Sequence, residues 1–302
     1  MNRKRNSITL NGVNRRYFIL ATSSAIASIL FTSCTPSQNS STSQSASQVT
    51  SQPVSQSTKT ALLKVGSRNN VSEDILKFLQ KEIAPSQGFN FEIVTIADSV
   101  KINDALKNKE IDVNLFQHEL FMKQAAKRLN ANFVMLNRSY TTVFALYSKR
   151  LKIKSVDEIP VGATIGISND DSNQDRALKF LKHLGLINLK EKSGEYFTVQ
   201  DVIAHPKKLQ IKELDNYALA RGLDDLDLAV AYSSFLLQAK INLNPIALDD
   251  IGIADKKYAT GLATLPEKVN DPNIQKLNKL IVDPKLKDFI NTKYKGTVVP
   301  SF

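Results

Sequence analysis

From residue 62 onward the chain alternates short apolar runs with longer segments whose apolar positions recur at helical spacing. Residues 62–66 (Leu-Leu-Lys-Val-Gly) read as a strand ending in glycine. Residues 71–83 set Ile75, Leu76 and Leu79 on one face and predict a helix. A strand at 91–96, a helix to 106 capped by Asp98 or Ser99, a strand at 112–116, a helix at 119–129 and a strand at 133–136 follow. Residues 141–147 form an extended run of β-branched and aromatic side chains. A second series opens with a strand at 163–168 and a helix at 172–184 that Gly185 ends. It continues with strands at 209–214 and 226–231, a helix at 233–239, the apolar Ile246-Ala247-Leu248, the segment Leu262-Ala263-Thr264-Leu265 and helices at 273–281 and 284–294.

Repeated strand–helix–strand units predict an α/β fold with parallel sheets covered by helices. In such sheets ligands sit outside the carboxyl ends of the strands. Four polar loops occupy those ends: 66–69, 114–118, 168–176 and 231–234.

The first 60 residues follow other rules. Arg3, Lys4, Arg5, Arg15 and Arg16 precede sixteen uncharged residues, Tyr17 to Thr32, and then Ser33-Cys34. A basic region, an apolar region and a small residue before a cysteine predict a lipoprotein signal peptide over 1–33, with Cys34 as the lipidated first mature residue. Sixteen residues diluted by serine and threonine fall short of the roughly 20 that a membrane span needs. Arg15-Arg16 with Phe18 fits a twin-arginine export signal or an ordinary basic region. Residues 35–58 carry no charge and are dominated by Ser, Thr and Gln. Such a stretch buries too little apolar area to offset its ordering entropy, so 34–60 is expected to be a disordered tether.

Charge excludes little. The net charge of +11 falls to +6 once the five leader cations are set aside. No basic run with interleaved aromatics marks a nucleic-acid groove. Catalysis finds little support. His118, His183 and His205 are the only histidines, and Cys34 is the only cysteine. The chain has no Gly-x-Ser-x-Gly elbow, no Gly-rich phosphate loop and no His-Glu-x-x-His pair. Neither enzyme, cofactor nor metal site is expected.

Two segments suit recognition. Asn169-Asp170-Asp171-Ser172-Asn173-Gln174-Asp175-Arg176 joins a strand to a helix whose free N–H groups suit an anion, and Arg176 could grip a carboxylate with two bonds. The bland alternative pairs Arg176 with Asp171 or Asp175 at the surface. Phe116-Gln117-His118-Glu119-Leu120-Phe121 packs aromatics, an amide and an imidazole into one turn, which suits the wall of a small pocket or a mere core edge.

These segments, with Leu63-Lys64-Val65-Gly66, Asn103-Asp104-Ala105-Leu106, Tyr147-Ser148-Lys149, Pro206-Lys207-Lys208-Leu209 and Leu223-Asp224-Asp225, resemble the NlpA/MetQ family of lipoproteins over about 62–302. The resemblance implies a periplasmic-binding-protein fold (type II-like), with two α/β lobes joined by two crossover segments near Tyr147 and Leu248. Lobe 1 would be 61–145 plus 250–302, and lobe 2 would be 146–249. It implies a monomeric, lipid-anchored, extracytoplasmic receptor that delivers methionine or a related small carboxylate to an ABC permease. The alternative is a protein of the same fold with changed or lost ligand specificity, acting as a sensor or adhesin. By resemblance Arg176 holds the ligand carboxylate, Asn173 contacts the ligand, and Phe116, His118 and Phe121 wall the pocket. Three positions depart from the family pattern. Ser99 stands where a tyrosine is usual, and Tyr232 and Thr260 replace two asparagines that contact the amino-acid backbone.

Overall fold

The computed structural model describes residues 62–302 except 69 and 195. The expected leader, Cys34 and the tether lie outside the described residues. One six-stranded sheet begins with β1 (Leu63–Ser67), β2 (Phe91–Thr95), β3 (Val113–His118) and β4 (Val134–Thr142). The chain then enters a five-stranded sheet through β5 (Phe144–Tyr147) and β6 (Thr164–Ser168). After a separate pair, β7 (Asn188–Leu189) with β8 (Val202–Ala204), it adds β9 (Gln210–Leu214), β10 (Leu228–Tyr232) and β11 (Ala247–Leu248). It returns to the first sheet with β12 (Thr260–Thr264) and β13 (Val298–Pro300). The strand orders are β13-β4-β12-β3-β1-β2 and β11-β5-β10-β6-β9.

The sheets are mixed rather than purely parallel. β1 pairs parallel with β2 and β3, and β6 with β9 and β10. The strands near the transfers between sheets, β4, β5, β11 and β12, pair antiparallel. The first transfer needs one residue. Val143 alone separates β4 from β5, donating its N–H to Thr297 O (3.1 Å) and accepting at its carbonyl from Ser233 N–H (2.7 Å). The change of sheet therefore precedes the boundary anticipated at 145, because Phe144 and Ala145 already pair with Tyr232 and Ala231. The continuous extended run at 141–147 hid this break.

Helices fill the crossovers: α1 (Asn70–Phe78), α2 (Lys101–Lys107), α3 (Glu119–Leu129), α4 (Asp171–His183), α5 (Asn216–Gly222), α6 (Ser233–Gln238), α7 (Asp250–Ala254), α8 (Pro272–Leu280) and α9 (Pro284–Tyr294). The helix anticipated to 83 widens into a π turn at Leu79–Ile83, which keeps Leu79 and Ile83 buried. α1, α8 and α9 cover one face of the six-stranded sheet with Ile75, Leu76, Leu277 and Ile290, while α2 and α3 cover the other with Ile102, Leu106 and Met122. A third core packs α4 and α5 on the second sheet through Leu178, Leu181, Leu219 and Ile165. Each fully buried aliphatic side chain contributes about 1.5–3 kcal/mol of transfer free energy. No described helix is long and apolar enough to cross a membrane.

Candidate functional site

Five parallel-strand ends converge on one cavity between the two sheets. Arg68 follows β1, and Gln117 and His118 end β3. Asn173 lies in the helix after β6, Asn216 opens α5 after β9, and Tyr232 ends β10. Phe116, Phe121, Tyr140, Thr142, Ser234, Phe235, Tyr258 and Thr260 complete the wall. The cavity measures about 50 Å3. That is room for a few waters, so entry of a larger solute requires the walls to part.

The wall is built locally by caps. His118 is the N-cap of α3: Phe121 N–H donates to its Nδ1 (3.2 Å). That bond makes Nδ1 the acceptor, so the proton sits on Nε2, which donates to Asn173 Oδ1 at 3.0 Å. Burial, the largest influence, pushes the His118 pKa down to about 4; the bond to Asn173 opposes this shift. The imidazole is thus neutral near pH 7. Gln117 serves the frame as well as the wall. Its amide exchanges bonds with Asn103 (2.8 and 2.9 Å) and donates to Asn114 (3.0 Å) beneath the cavity.

The start of α4 does not await an external anion. Asp170 is its N-cap, accepting from Asn173 N–H (3.0 Å) and Ser172 Oγ (2.9 Å). A carboxylate at that place answers both the unpaired amides and the helix dipole. Asp170 also receives both bonds of the Asn173 amide nitrogen, at 3.1 and 2.8 Å. Asn173 Oδ1 accepts from His118 and from the Tyr232 hydroxyl (2.7 Å). Its oxygen thus accepts two bonds, and its amide nitrogen is held on the Asp170 carboxylate.

Arg176 departs most from expectation. Its side chain is 2% exposed. It pairs with neither Asp171 nor Asp175, and Asp175 instead takes Lys179 at 2.7 Å. Arg176 Nε donates to Asp249 Oδ2 (2.7 Å), and Nη1 donates to the Tyr232 hydroxyl (3.2 Å). Nη2 lies against Gly252, where an added Cβ would stand 2.6 Å from it, and it has no hydrogen-bond partner among the described residues. The guanidinium packs over the rings of Tyr258 (4.2 Å) and Phe144 (4.4 Å). Burial opposes its charge, but Tyr232 and Asp249 outweigh that and raise its pKa. Burial raises the Tyr232 pKa, so the phenol stays neutral near pH 7. Tyr232 stands between Arg176 and the cavity, which Arg176 does not line.

Of the anticipated residues, Phe116, His118, Phe121, Asn173, Tyr232 and Thr260 share the cavity wall. Ser99 does not. It lies in a turn after β2, the sheet's edge strand, whereas strands β1, β3, β4 and β12 reach the wall. Cys34 lies outside the described residues. Sequence reasoning missed Arg68, Tyr258 and Asp249 as named residues. Arg68 carried a usable signal, since it occupies the 66–69 loop at a carboxyl strand end. Asp249 carried none, for nothing near it in the chain announces a partner 73 positions away.

A family model described as NlpA lipoprotein matches residues 63–302. The D-methionine-binding lipoprotein MetQ of Escherichia coli K12 is 33% identical over 239 residues, covering 78% of this chain and 87% of the relative. Lipoprotein 28 of the same strain is 32% identical over 244 residues, covering 80% and 88%. Among solved structures, a nutrient-binding protein from Burkholderia cenocepacia bound to methionine has a TM-score of 0.73 at 33% identity, covering 80% of this chain and 100% of that one. A periplasmic substrate-binding protein of an ABC transporter from Coxiella burnetii has a TM-score of 0.73 at 26% identity, covering 80% and 100%.

Proposed function

The chain belongs to the NlpA lipoprotein family, and on that premise we propose that it is an extracytoplasmic solute receptor, anchored by lipid at Cys34, that feeds an ABC permease. One observation carries this reading: a cavity between two sheets, walled by the carboxyl ends of strands from both. Such a place suits a small solute with apolar and polar parts. The segments at Val143 and between β11 and β12 act as hinges of two lobes, one built on the six-stranded sheet and the other on the five-stranded sheet. The closed monomer docks on the permease.

The solute is a small carboxylate, with methionine and related amino acids as the first candidates, because relatives bind methionine. A changed specificity within that class is favoured by the internal partners of Arg176 and Asn173, which occupy groups that a ligand would otherwise use.

The test uses the full chain, purified in detergent. Native mass spectrometry is expected to reveal a co-purifying small molecule, and removal of it is expected to lower the melting temperature. Re-addition at a hundred times its dissociation constant restores about 2.7 kcal/mol. A chain that carries no small molecule and answers to no amino acid, dipeptide or short carboxylate contradicts the receptor reading and supports a sensor or adhesin.

A further inference from the structure

Arg68 and Arg176 are the two guanidinium groups that adjoin or approach the cavity, and their states differ. Arg176 directs Nε to Asp249, Nη1 to Tyr232 and Nη2 toward Gly252. None of its donors faces the cavity. Its charge is already matched by a carboxylate of the same chain at 2.7 Å.

Arg68 lines the cavity. Its Nε donates to Ala97 O (3.0 Å), which fixes the stem of the fork. Its guanidinium lies 4.5 Å over the Tyr217 ring and 5.7 Å from that of Phe235. Among the described residues no carboxylate forms an ion pair with it, and its two Nη nitrogens have no hydrogen-bond acceptor. The nearest acids act only at longer range, through Asp170, Asp215 and Asp98. Burial lowers its pKa, yet an arginine stays charged at any ordinary pH. Among the described residues no Asp or Glu lines the cavity. A half-buried cation without an ion-pair partner, beside a cavity whose described lining carries no carboxylate, gains from an incoming anion. The planar fork fits a carboxylate with two parallel bonds.

We propose that Arg68, rather than Arg176, holds the anionic group of the solute, whose apolar end lies among Phe116, Phe121 and Tyr258. This deepens the receptor reading and rests on it. Arg68 follows a strand of the first sheet, while Tyr217 and Phe235 belong to helices of the second. The Tyr217 hydroxyl also donates to the Arg68 carbonyl oxygen at 3.2 Å. An anion seated on Arg68 therefore touches a group that already joins the two halves, and its binding favours the closed form.

The probes are the common amino acids, glycine-containing dipeptides and short mono- and dicarboxylates, titrated calorimetrically into the full chain in detergent. The tightest carboxylate is then compared with its own primary carboxamide. Arg68→Gln is expected to weaken the carboxylate by about tenfold to a hundredfold and to leave the carboxamide within about threefold. The double variant Arg176→Met with Asp249→Leu removes the buried ion pair without leaving a lone charge, and it is expected to hold the carboxylate within about threefold. Arg68→Lys checks the fork: it keeps the charge and is expected to regain only part of the loss. Equal weakening of acid and amide by Arg68→Gln, or loss of the acid only in the Arg176 and Asp249 double variant, overturns the assignment and leaves the receptor reading intact. Absence of binding by every probe overturns both. Circular dichroism melts of each variant separate loss of fold from loss of affinity.

Discussion

His118 and Asn173 stand 55 positions apart and meet across the two sheets, imidazole Nε2–H to amide oxygen, at 3.0 Å. The bond joins the end of β3 to the start of α4. It holds together two elements that face the cavity from opposite sides. The Tyr232 hydroxyl completes the chain from Asn173 to Arg176.

The neutral state of His118 makes the fold sensitive to acid. Its pKa is about 4 in the folded protein, against about 6.5 in an unfolded chain. Below about 6.5 the unfolded chain binds the proton more readily, so stability falls as pH drops from about 6.5 to about 4 and then levels with respect to this group. The loss is of the order of 3 kcal/mol. Thermal melts across that range are expected to show the slope in the native chain and a flatter one in His118→Gln.

Tyr232→Phe deletes one hydroxyl and leaves two buried partners short of a bond, at Asn173 Oδ1 and Arg176 Nη1. Burial is nearly unchanged, so the effect isolates the bonds. A loss of about 1–3 kcal/mol in urea unfolding is expected. An unchanged midpoint would show that solvent already satisfies those groups.

Gly252 is required by the Arg176–Asp249 pair. An alanine there would bring its Cβ within 2.6 Å of Arg176 Nη2 and 2.8 Å of Nε, and closer still to Asp249 Oδ2. Gly252→Ala is expected to destabilise by about 1–3 kcal/mol through overpacking. Asp249→Ala is expected to be worse, by about 3–5 kcal/mol, because it strands a buried guanidinium. Denaturant titration ranks the two, and the reverse order would mean that Arg176 finds another partner.

Asp170 both caps α4 and aims Asn173. Asp170→Ala is expected to lose about 1–2 kcal/mol from the cap. Asp170→Ser restores a cap oxygen but a weaker hold on the Asn173 amide. If Asn173 orientation matters to the cavity, serine recovers stability without recovering solute affinity, as calorimetry on both variants checks.

Much was legible along the chain. Hydrophobic spacing located β1, α3, β6 and α4, since burial on one face leaves a periodic trace in the residues themselves. The same logic marked loops at carboxyl strand ends, and those loops supply His118, Asn173 and Tyr232 to one wall. Periodicity could not reveal the switch at Val143, because an extended segment reads alike in either sheet.

Charge pairing belonged to the tertiary structure. Arg176 had plausible acids at Asp171 and Asp175 beside it, yet the fold turns it inward to Asp249, and Arg68 is left beside the cavity without an ion-pair partner among the described residues. Local sequence records which side of an element is buried. Which buried charge meets which counter-charge depends on how separate elements dock, and that geometry is settled only when the two sheets come together.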